Sequence, residues 1–176
     1  MNLIIPKTIH YIWLGRKPMH PLMLQWQGKW KTLHPGWDAK VWSEAPGQTE
    51  SLIYKDEILD SSFPELLRRC CHLSQKSNIW RYELLHRFGG LYLDTDFEPI
   101  KCVEPLMDGL ETFAGRCHVI NSPDETIGCS LPACPGLIGC IPRHPWMRDL
   151  IENMPKQDPE ISRSLGAGYF AEVTSR

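Results

Sequence analysis

Two carboxylates, those of Asp94 and Asp96, follow the apolar run Gly-Gly-Leu-Tyr-Leu at residues 89–93. If the strand continues through them, both point to one face, because alternate side chains of a strand share a face. Their Cα atoms would then lie roughly 6–7 Å apart, at about 3.3 Å of rise per residue. Like charges that close repel each other unless a positive charge lies between them. The pair therefore predicts a bound cation, and hard carboxylate oxygens suit Mg²⁺ or Mn²⁺.

A helix and a strand are predicted to position this pair. Residues 74–88 carry an apolar stripe at helical spacing, with Ser74 as the expected N-cap and Gly89 as the residue that ends the helix. Residues 91–97 then read as a strand. An Asp-x-Asp triplet by itself is a weak signal, because most such triplets lie in solvated loops. The helix and the strand before it are what favour a binding site.

The N-terminal part of the chain predicts a strand, a helix and a second strand. Residues 3–14 read as a strand after Pro6, residues 22–33 as a helix, and residues 39–42 as the next strand, with a loop between the first two. This order is typical of a βαβ unit and a parallel sheet. In open α/β sheets, ligands bind in the crevice at the carboxyl ends of the strands. Asp94 and Asp96 would lie at such an end. Because Mg²⁺ and Mn²⁺ often complete their shells with substrate phosphates, a cation there could bind a nucleotide diphosphate.

The remaining segments are less regular. We expect short helices over residues 53–59 and 65–71, separated by a turn at residues 61–64, and another helix over residues 146–153. A chain of 176 residues is long enough for one domain with a sizeable core. The fold class we predict is therefore α/β in a single domain.

Composition excludes some classes of protein. A net charge of −2 argues against broad attraction to nucleic acid or to an anionic membrane. No apolar run approaches the length of a membrane span, and the N-terminus lacks the layout of a signal peptide, so we expect a cytoplasmic protein. We expect reduced thiols rather than disulfides or a zinc site, because the number of cysteines is odd and their spacing is not that of zinc ribbons. The seven cysteines are Cys70, Cys71, Cys102, Cys117, Cys129, Cys134 and Cys140.

Several linked motifs resemble one family of sugar-transferring enzymes. They are IPKTIHYIWLG at 5–15, HPGW at 34–37 and SNIWRYELLHRFGGLYLDTD at 77–96. Together they resemble the DxD glycosyltransferases that include capsular polysaccharide transferases, yeast-type mannosyltransferases and, more distantly, the glucosylating domains of large clostridial toxins. The resemblance implies a GT-A-type single domain with a Rossmann-like, mainly parallel sheet flanked by helices. It also implies transfer of a sugar from a nucleotide-diphosphate sugar to a glycan or other hydroxyl acceptor, with retention of anomeric configuration.

The resemblance assigns roles to the two aspartates. Asp96 corresponds to the residue that binds Mn²⁺ (or Mg²⁺) directly, and Asp94 to the residue that contacts the ribose and the water shell of the metal. The metal would neutralise the departing diphosphate as a Lewis acid. Both aspartates are therefore expected to be metal-site and catalytic residues.

Five further residues are expected in the donor site. By resemblance, Ile12, Trp13 and Gly15 touch the nucleotide, and Arg81 holds the donor. Trp13 could equally be a core aromatic, and Arg81 an ordinary surface arginine of the helix. The family usually has an aspartate three residues before the arginine, to hold sugar hydroxyls, and here that place is taken by Asn78. An amide at i, i+3 still shares a helix face with the arginine, but it accepts hydrogen bonds more weakly and carries no charge.

Two later segments depart from the family pattern. PGLIGCIPRHP at 135–145 resembles a segment that often begins with Asn, but here it begins with Pro135. SLGAGYFAEVTSR at 164–176 resembles the stretch before a final segment that closes the donor site. We therefore expect residues 1–176 to form one GT-A-like domain without that closing segment.

Two other functions remain open at this stage. A phosphohydrolase could use the same aspartates, but it would need a nucleophile or a second metal site, and no His/Asp cluster at ligand spacing is present. A degenerate or truncated module could bind a nucleotide sugar without turnover, as Asn78 and Pro135 suggest. Turnover distinguishes that module from an enzyme, because both would bind nucleotide with metal.

Overall fold

The computed structural model describes residues 2–116, 133–154 and 167–174, through which a seven-stranded mixed sheet runs. The strands are β1 Thr8–Ile12, β2 Asp38–Ala45, β3 Gln48–Tyr54, β4 Glu57–Asp60, β5 Gly90–Leu93, β6 Thr112–Gly115 and β7 Cys134–Cys140. The helices are α1 Pro21–Leu33, α2 Pro64–Arg69, α3 Leu73–Phe88, α4 Pro145–Asn153 and α5 Ala167–Thr174, with a short 3₁₀ helix at Glu104–Leu106. The order across the sheet is β4-β3-β2-β1-β5-β7-β6. The α/β class predicted from the sequence is confirmed.

The centre of the sheet is parallel. Strand β1 lies between β2 and β5 and runs parallel to both, with Thr8 opposite Asp38 and His10 opposite Tyr92. The predicted βαβ unit is confirmed as β1, α1 and β2. Because β1 has a parallel neighbour on each side, the carboxyl ends of three strands meet at one edge. An open α/β sheet leaves a crevice for ligands at such a switch point.

The outer strands are antiparallel, so the expectation of a mainly parallel sheet holds only for β2, β1 and β5. The other four pairings are antiparallel. The predicted helix over residues 53–59 is wrong, since these residues belong to the β3–β4 hairpin. Its tight turn places Lys55 at a φ of 55°, and Tyr54 pairs with Glu57. A turn this short can join only antiparallel strands. The predictions of helices near residues 65–71 and 146–153 are confirmed as α2 and α4.

Helix α3 leads directly into the strand that precedes the two aspartates. It begins at Leu73, so the prediction of Ser74 as N-cap is wrong by two residues. The cap is His72, whose backbone N–H donates to Oε1 of Gln75 at 3.0 Å. As predicted, the helix ends at Gly89, which has a φ of 63°. A positive φ strains any residue with a Cβ atom, and glycine allows β5 to start immediately after the helix.

Two apolar clusters cover the two faces of the sheet. In β5, Tyr92 belongs to the cluster beneath α3, α4 and α5, whereas Leu91 and Leu93 belong to the cluster beneath α1. This alternation is what a strand buried on both faces requires. Within the described ranges, no helix combines the length and apolar character needed to cross a membrane.

The five cysteines in the described part of the chain are free. Burial raises the pKa of the Cys140 thiol to about 12 and is the main cause that raises that of Cys70 to about 11. Both thiols are therefore protonated at neutral pH. Cys117 and Cys129 lie outside the described residues.

Candidate active site

The two aspartates lie on a turn, and the prediction that residues 91–97 form one strand is wrong. Strand β5 ends at Leu93, and the chain then turns so that the Phe97 N–H donates to the Asp94 carbonyl at 3.2 Å. The Asp94 N–H donates to the Gly136 carbonyl at 2.8 Å, which continues the pairing with β7 for one residue. The side chains of Asp94 and Asp96 therefore owe their positions to a turn rather than to the alternation of a strand.

A pocket of about 330 Å³ opens at the carboxyl ends of β1 and β5. It is bounded by the end of β1, the first turn of α1, one face of α3 and the turn after β5. Its lining residues are Ile12, Trp13, Leu14, Met23, Leu73, Ser74, Ser77, Arg81, Tyr92, Asp94, Thr95 and Asp96. Five of the seven residues predicted for the site are among them.

The carboxylate of Asp94 is held in place by its neighbours. The Tyr92 hydroxyl donates to its Oδ1 at 2.6 Å, and Nη2 of Arg81 lies 3.3 Å from the same oxygen. Burial raises the pKa of Tyr92 above its usual range, so the hydroxyl keeps its proton and acts as a donor. A Cβ atom at position 136 would lie 2.7 Å from Oδ2 of Asp94, so Gly136 leaves room for the carboxylate.

Arg81 supplies a buried positive charge on the floor of the pocket. Only 5% of the residue is exposed. Its Nη1 donates to the Pro135 carbonyl at 2.6 Å, and its guanidinium carbon lies 4.7 Å from the centre of the Tyr92 ring. Burial opposes the charged form, but Tyr92 and Asp94 raise the pKa of Arg81, so it remains a cation. The proline that departs from the family pattern thus binds the arginine through its carbonyl.

Asp96 is exposed, and its carboxylate has no hydrogen-bond or ion-pair partner among the described residues. The Asp96 carboxylate and the Oδ2 atom of Asp94 are both hard oxygen ligands, and both residues line the same pocket. No group of three or more His, Cys, Asp or Glu side chains that could hold a metal occurs within the described ranges. Two carboxylates nevertheless fit Mg²⁺ or Mn²⁺, because these ions typically take one or two protein carboxylates and complete their shells with water and phosphate oxygens.

The end of β1 forms the opposite wall of the pocket. Ile12 is buried, and Trp13 is half-buried with its indole N–H donating to the Lys17 carbonyl at 2.8 Å. This bond fixes the indole ring and closes the loop after the strand. Gly15 lies in that loop at a φ of 87°, and a Cβ atom there would come within 2.8 Å of Leu73. Gly15 therefore brings the loop close to α3, but it does not itself line the pocket.

Asn78 is also outside the pocket lining. It is half-buried on α3, between Ser74 and Arg81, which both line the pocket. The structure thus brings Ile12, Trp13, Arg81 and the two aspartates together and places Gly15 and Asn78 beside them.

Two contributors to the site, Tyr92 and Gly136, are not among the residues predicted from the sequence. Tyr92 has no predicted role, although the face that it shares with Asp94 on the predicted strand could have indicated the hydrogen bond. Gly136 had no local signal, because its contact with Asp94 depends on the pairing of β7 with β5, in which Leu137 lies opposite Leu93.

The carboxylate turn and the buried arginine lie at the central switch point of the sheet, where open α/β sheets bind their ligands. The comparison with known families agrees: residues 22–112, just over half of the chain, match the family described as "Glycosyltransferase sugar-binding region containing DXD motif". The chain belongs to this family, and Asp94-Thr95-Asp96 is its DXD motif.

Individual relatives are distant. The chain is 25% identical over 158 residues to inositol phosphoceramide mannosyltransferase 3 of Schizosaccharomyces pombe, covering 86% of this chain and 38% of that protein. It is 27% identical over 176 residues to the uncharacterized protein L263 of Acanthamoeba polyphaga mimivirus, of which it spans 26%. Among solved structures, PaToxG glycosyltransferase aligns with a TM-score of 0.63 at 15% identity, over 96% of this chain and 67% of that one. This likeness shows the GT-A glycosyltransferase fold.

Proposed function

We propose that this chain transfers a sugar from a nucleotide-diphosphate sugar to a hydroxyl group of a glycan or other acceptor, with retention of anomeric configuration. The observation that carries the proposal is the pocket at the switch point of the sheet, which Asp94, Asp96 and the buried Arg81 line together, with the Arg81 guanidinium paired to Asp94. Carboxylates for a cation and a fixed positive charge together suit a diphosphate, which is an anion that also binds metal.

Asp96 and Asp94 would hold Mn²⁺ or Mg²⁺, whose chemistry here is to stabilise the negative charge of the leaving diphosphate. Arg81 adds a second positive charge that cannot be lost at neutral pH, at a place from which water is largely excluded. Such preorganised charge acts more strongly in a buried site than in water.

The wall formed by β1 is proposed to bind the nucleotide base. Trp13 presents a ring whose orientation is fixed by its bond to the Lys17 carbonyl, and Ile12 adds apolar surface. We propose that Gly15 contributes backbone contact from the loop and that Asn78 contacts donor-sugar hydroxyls beside Arg81. Because the relative from Schizosaccharomyces pombe is named a mannosyltransferase, a mannose donor is the first to test.

The test is release of nucleotide from UDP-, GDP- and dTDP-sugars with Mn²⁺. We expect one donor to be consumed, and Asp96→Asn to lower turnover by at least about a hundredfold, because the metal accounts for several kcal/mol of transition-state stabilisation. Asp149→Asn, which removes an exposed carboxylate on α4 away from the pocket, serves as the matched control and should leave turnover unchanged. Equal turnover in the two variants would refute the role of Asp96.

A second candidate is a nucleotide-sugar-binding module without turnover. It is favoured by Asn78, which stands where the family usually has an aspartate and does not line the pocket. The same experiment separates the two functions. Binding of Mn²⁺ and nucleotide without consumption of any donor would establish the binding module, whereas consumption of one donor would exclude it.

A further inference from the structure

The position of Asp96 is determined by its backbone neighbours rather than by its side chain. Asp94 is held through its carboxylate by Tyr92 and Arg81. The Asp96 carboxylate has no such partner among the described residues. Whatever fixes Asp96 in the pocket must therefore hold the peptide units on either side of it.

Helix α1 fixes the peptide units next to Asp96. The indole N–H of Trp30 donates to the carbonyl of Phe97, the residue after Asp96, at 2.9 Å. The N–H of the same Phe97 closes the turn on Asp94, so both polar groups of its backbone are bonded. Two weaker contacts join α1 to the same turn: Thr95 Oγ1 lies 3.7 Å from the sulfur of Met23, and Lys29 Nζ lies 2.7 Å from a carboxylate oxygen of Glu98.

The Trp30 indole is itself held rigidly. The residue is only 3% exposed, and its ring stacks on that of His34 with 5.1 Å between centroids. The His34 ring is bonded on both sides, to the Trp30 carbonyl at 2.8 Å and to the Val103 N–H at 2.9 Å. A donor fixed in this way loses little conformational entropy when its acceptor binds, so it can define where the Phe97 carbonyl lies.

We propose that Trp30 is a positioning residue for Asp96: its indole N–H holds the turn in the conformation that presents this carboxylate to the metal of the donor site. The inference rests on the proposed function, because it concerns the same metal site. It adds a residue that lies outside the pocket and acts through the backbone of Phe97.

The test compares Trp30→Phe with Trp37→Phe. Trp37 belongs to the same apolar cluster, is buried to a similar degree and donates its indole N–H to Glu104 at 2.7 Å, away from the turn. Each variant thus loses one buried indole and one hydrogen bond. Two quantities are measured: amide hydrogen exchange of residues 94–98 in metal-free protein, and the dissociation constant of Mn²⁺ by electron paramagnetic resonance.

We expect Trp30→Phe alone to accelerate exchange of residues 94–98 and to weaken Mn²⁺ binding, each by about three- to tenfold, the equivalent of one net hydrogen bond. Saturating Mn²⁺ should restore the turnover of this variant. Equal exchange and equal Mn²⁺ affinity in the two variants would refute the role of Trp30 and leave the proposed function intact. A wild-type protein that binds no Mn²⁺ would refute the proposed metal site itself.

If Trp30→Phe does not fold, 3-benzothienylalanine introduced at position 30 provides the second variant. This amino acid replaces the indole N–H by sulfur and keeps the size of the ring, so the core remains filled. Faster exchange of residues 94–98 and weaker Mn²⁺ binding would support the proposal. Wild-type values for both would overturn it.

Discussion

At the scale of single residues, the two aspartates of the pocket have different surroundings. Asp94 shares its Oδ1 between the Tyr92 hydroxyl and the Arg81 guanidinium. Its charge is therefore partly balanced by the protein. Asp96 is exposed and has no such partner in the described part of the chain. The repulsion inferred from the sequence is thus relieved in part by Arg81, and the uncompensated charge is that of Asp96.

Gly136→Ala tests how much the orientation of Asp94 matters. The new methyl group would lie 2.7 Å from Oδ2 of Asp94 and 2.9 Å from the Phe97 ring, distances that real Cβ atoms do not adopt. We expect the Asp94 carboxylate to move, because its side chain is 37% exposed and can shift toward solvent. We expect about tenfold weaker Mn²⁺ binding, which corresponds to about 1.4 kcal/mol. Calorimetric titration with Mn²⁺ and nucleoside diphosphate measures it.

Gly115→Ala is the control for this substitution. Gly115 lies on β6 of the same sheet, and its new methyl group would meet no atom closer than 3.4 Å. It should leave Mn²⁺ affinity unchanged. If both variants bind Mn²⁺ like the wild type, the carboxylate of Asp94 does not need the space that Gly136 provides.

The candidate site could be predicted from the sequence only where its residues are close along the chain or belong to a family motif. Arg81, Asp94 and Asp96 lie within 16 positions of one another, so a helix followed by a strand already brings them together. Gly136 reaches Asp94 through an antiparallel pairing that begins after residue 133. No periodicity in the intervening segment indicates which strand lies next to β5.

At the scale of elements, the junction between α3 and β5 determines where the motif lies. The helix must stop and the chain must enter the sheet beside β1 without a connecting loop. Gly89 and Gly90 both have positive φ, at 63° and 91°. A Cβ atom at either position would come within 2.6 Å of a neighbouring segment. The double glycine is therefore needed for close packing as well as for the turn.

Gly89→Ala should lower the free energy of unfolding by more than the strain of a positive φ alone would. Adding a Cβ at this φ costs about 1–2 kcal/mol, and the contact at 2.6 Å with Pro142 adds overpacking of about 1–3 kcal/mol. Gly47→Ala is the matched control, because its φ of 75° is similar and no atom lies within 4 Å of the new methyl group. Urea unfolding measures the free energy of unfolding of both variants. Equal decreases in this free energy would mean that the contact with Pro142 relaxes without cost.

The elements that the sequence predicted well are those with a single dominant periodicity, such as α3. The β3–β4 hairpin was mistaken for a helix for a physical reason. Leu52 and Leu59 are both buried and seven residues apart, a spacing that fits two turns of a helix. In the structure they lie opposite each other across the hairpin. Only the tight turn around Lys55 distinguishes the two arrangements, and its sequence lacks the glycine typical of such turns.

At the scale of the whole molecule, the centre of the sheet depends on a buried polar group. His10 of β1 is fully buried, with its Nδ1 3.1 Å from the Trp42 indole nitrogen and its Nε2 3.1 Å from the Gly89 carbonyl. Because the indole can only donate, Nδ1 accepts and the proton is on Nε2. The neutral ring thus joins β1 to β2 and to the C-terminal end of α3.

This histidine should make the stability of the whole fold depend on pH. Burial, assisted by the charge of Lys40, lowers the pKa of His10 from 6.5 to about 4. The unfolded chain therefore binds a proton that the folded chain excludes, and stability falls as the pH drops from about 6.5 to about 4. The loss reaches about 3 kcal/mol at about 1.4 kcal/mol per pKa unit. Urea unfolding across this pH range measures it.

His10→Gln is the variant that isolates this effect, because its amide can accept from Trp42 and donate to the Gly89 carbonyl without titrating. Other groups titrate in the same range. Burial raises the pKa of Glu83, for example, which makes its contribution fall as the pH rises, opposite in sign to that of His10. The difference between wild type and variant cancels such contributions. We expect that difference to shrink by about 3 kcal/mol on acidification, and a constant difference would mean that His10 is protonated in the folded protein as easily as in the unfolded chain.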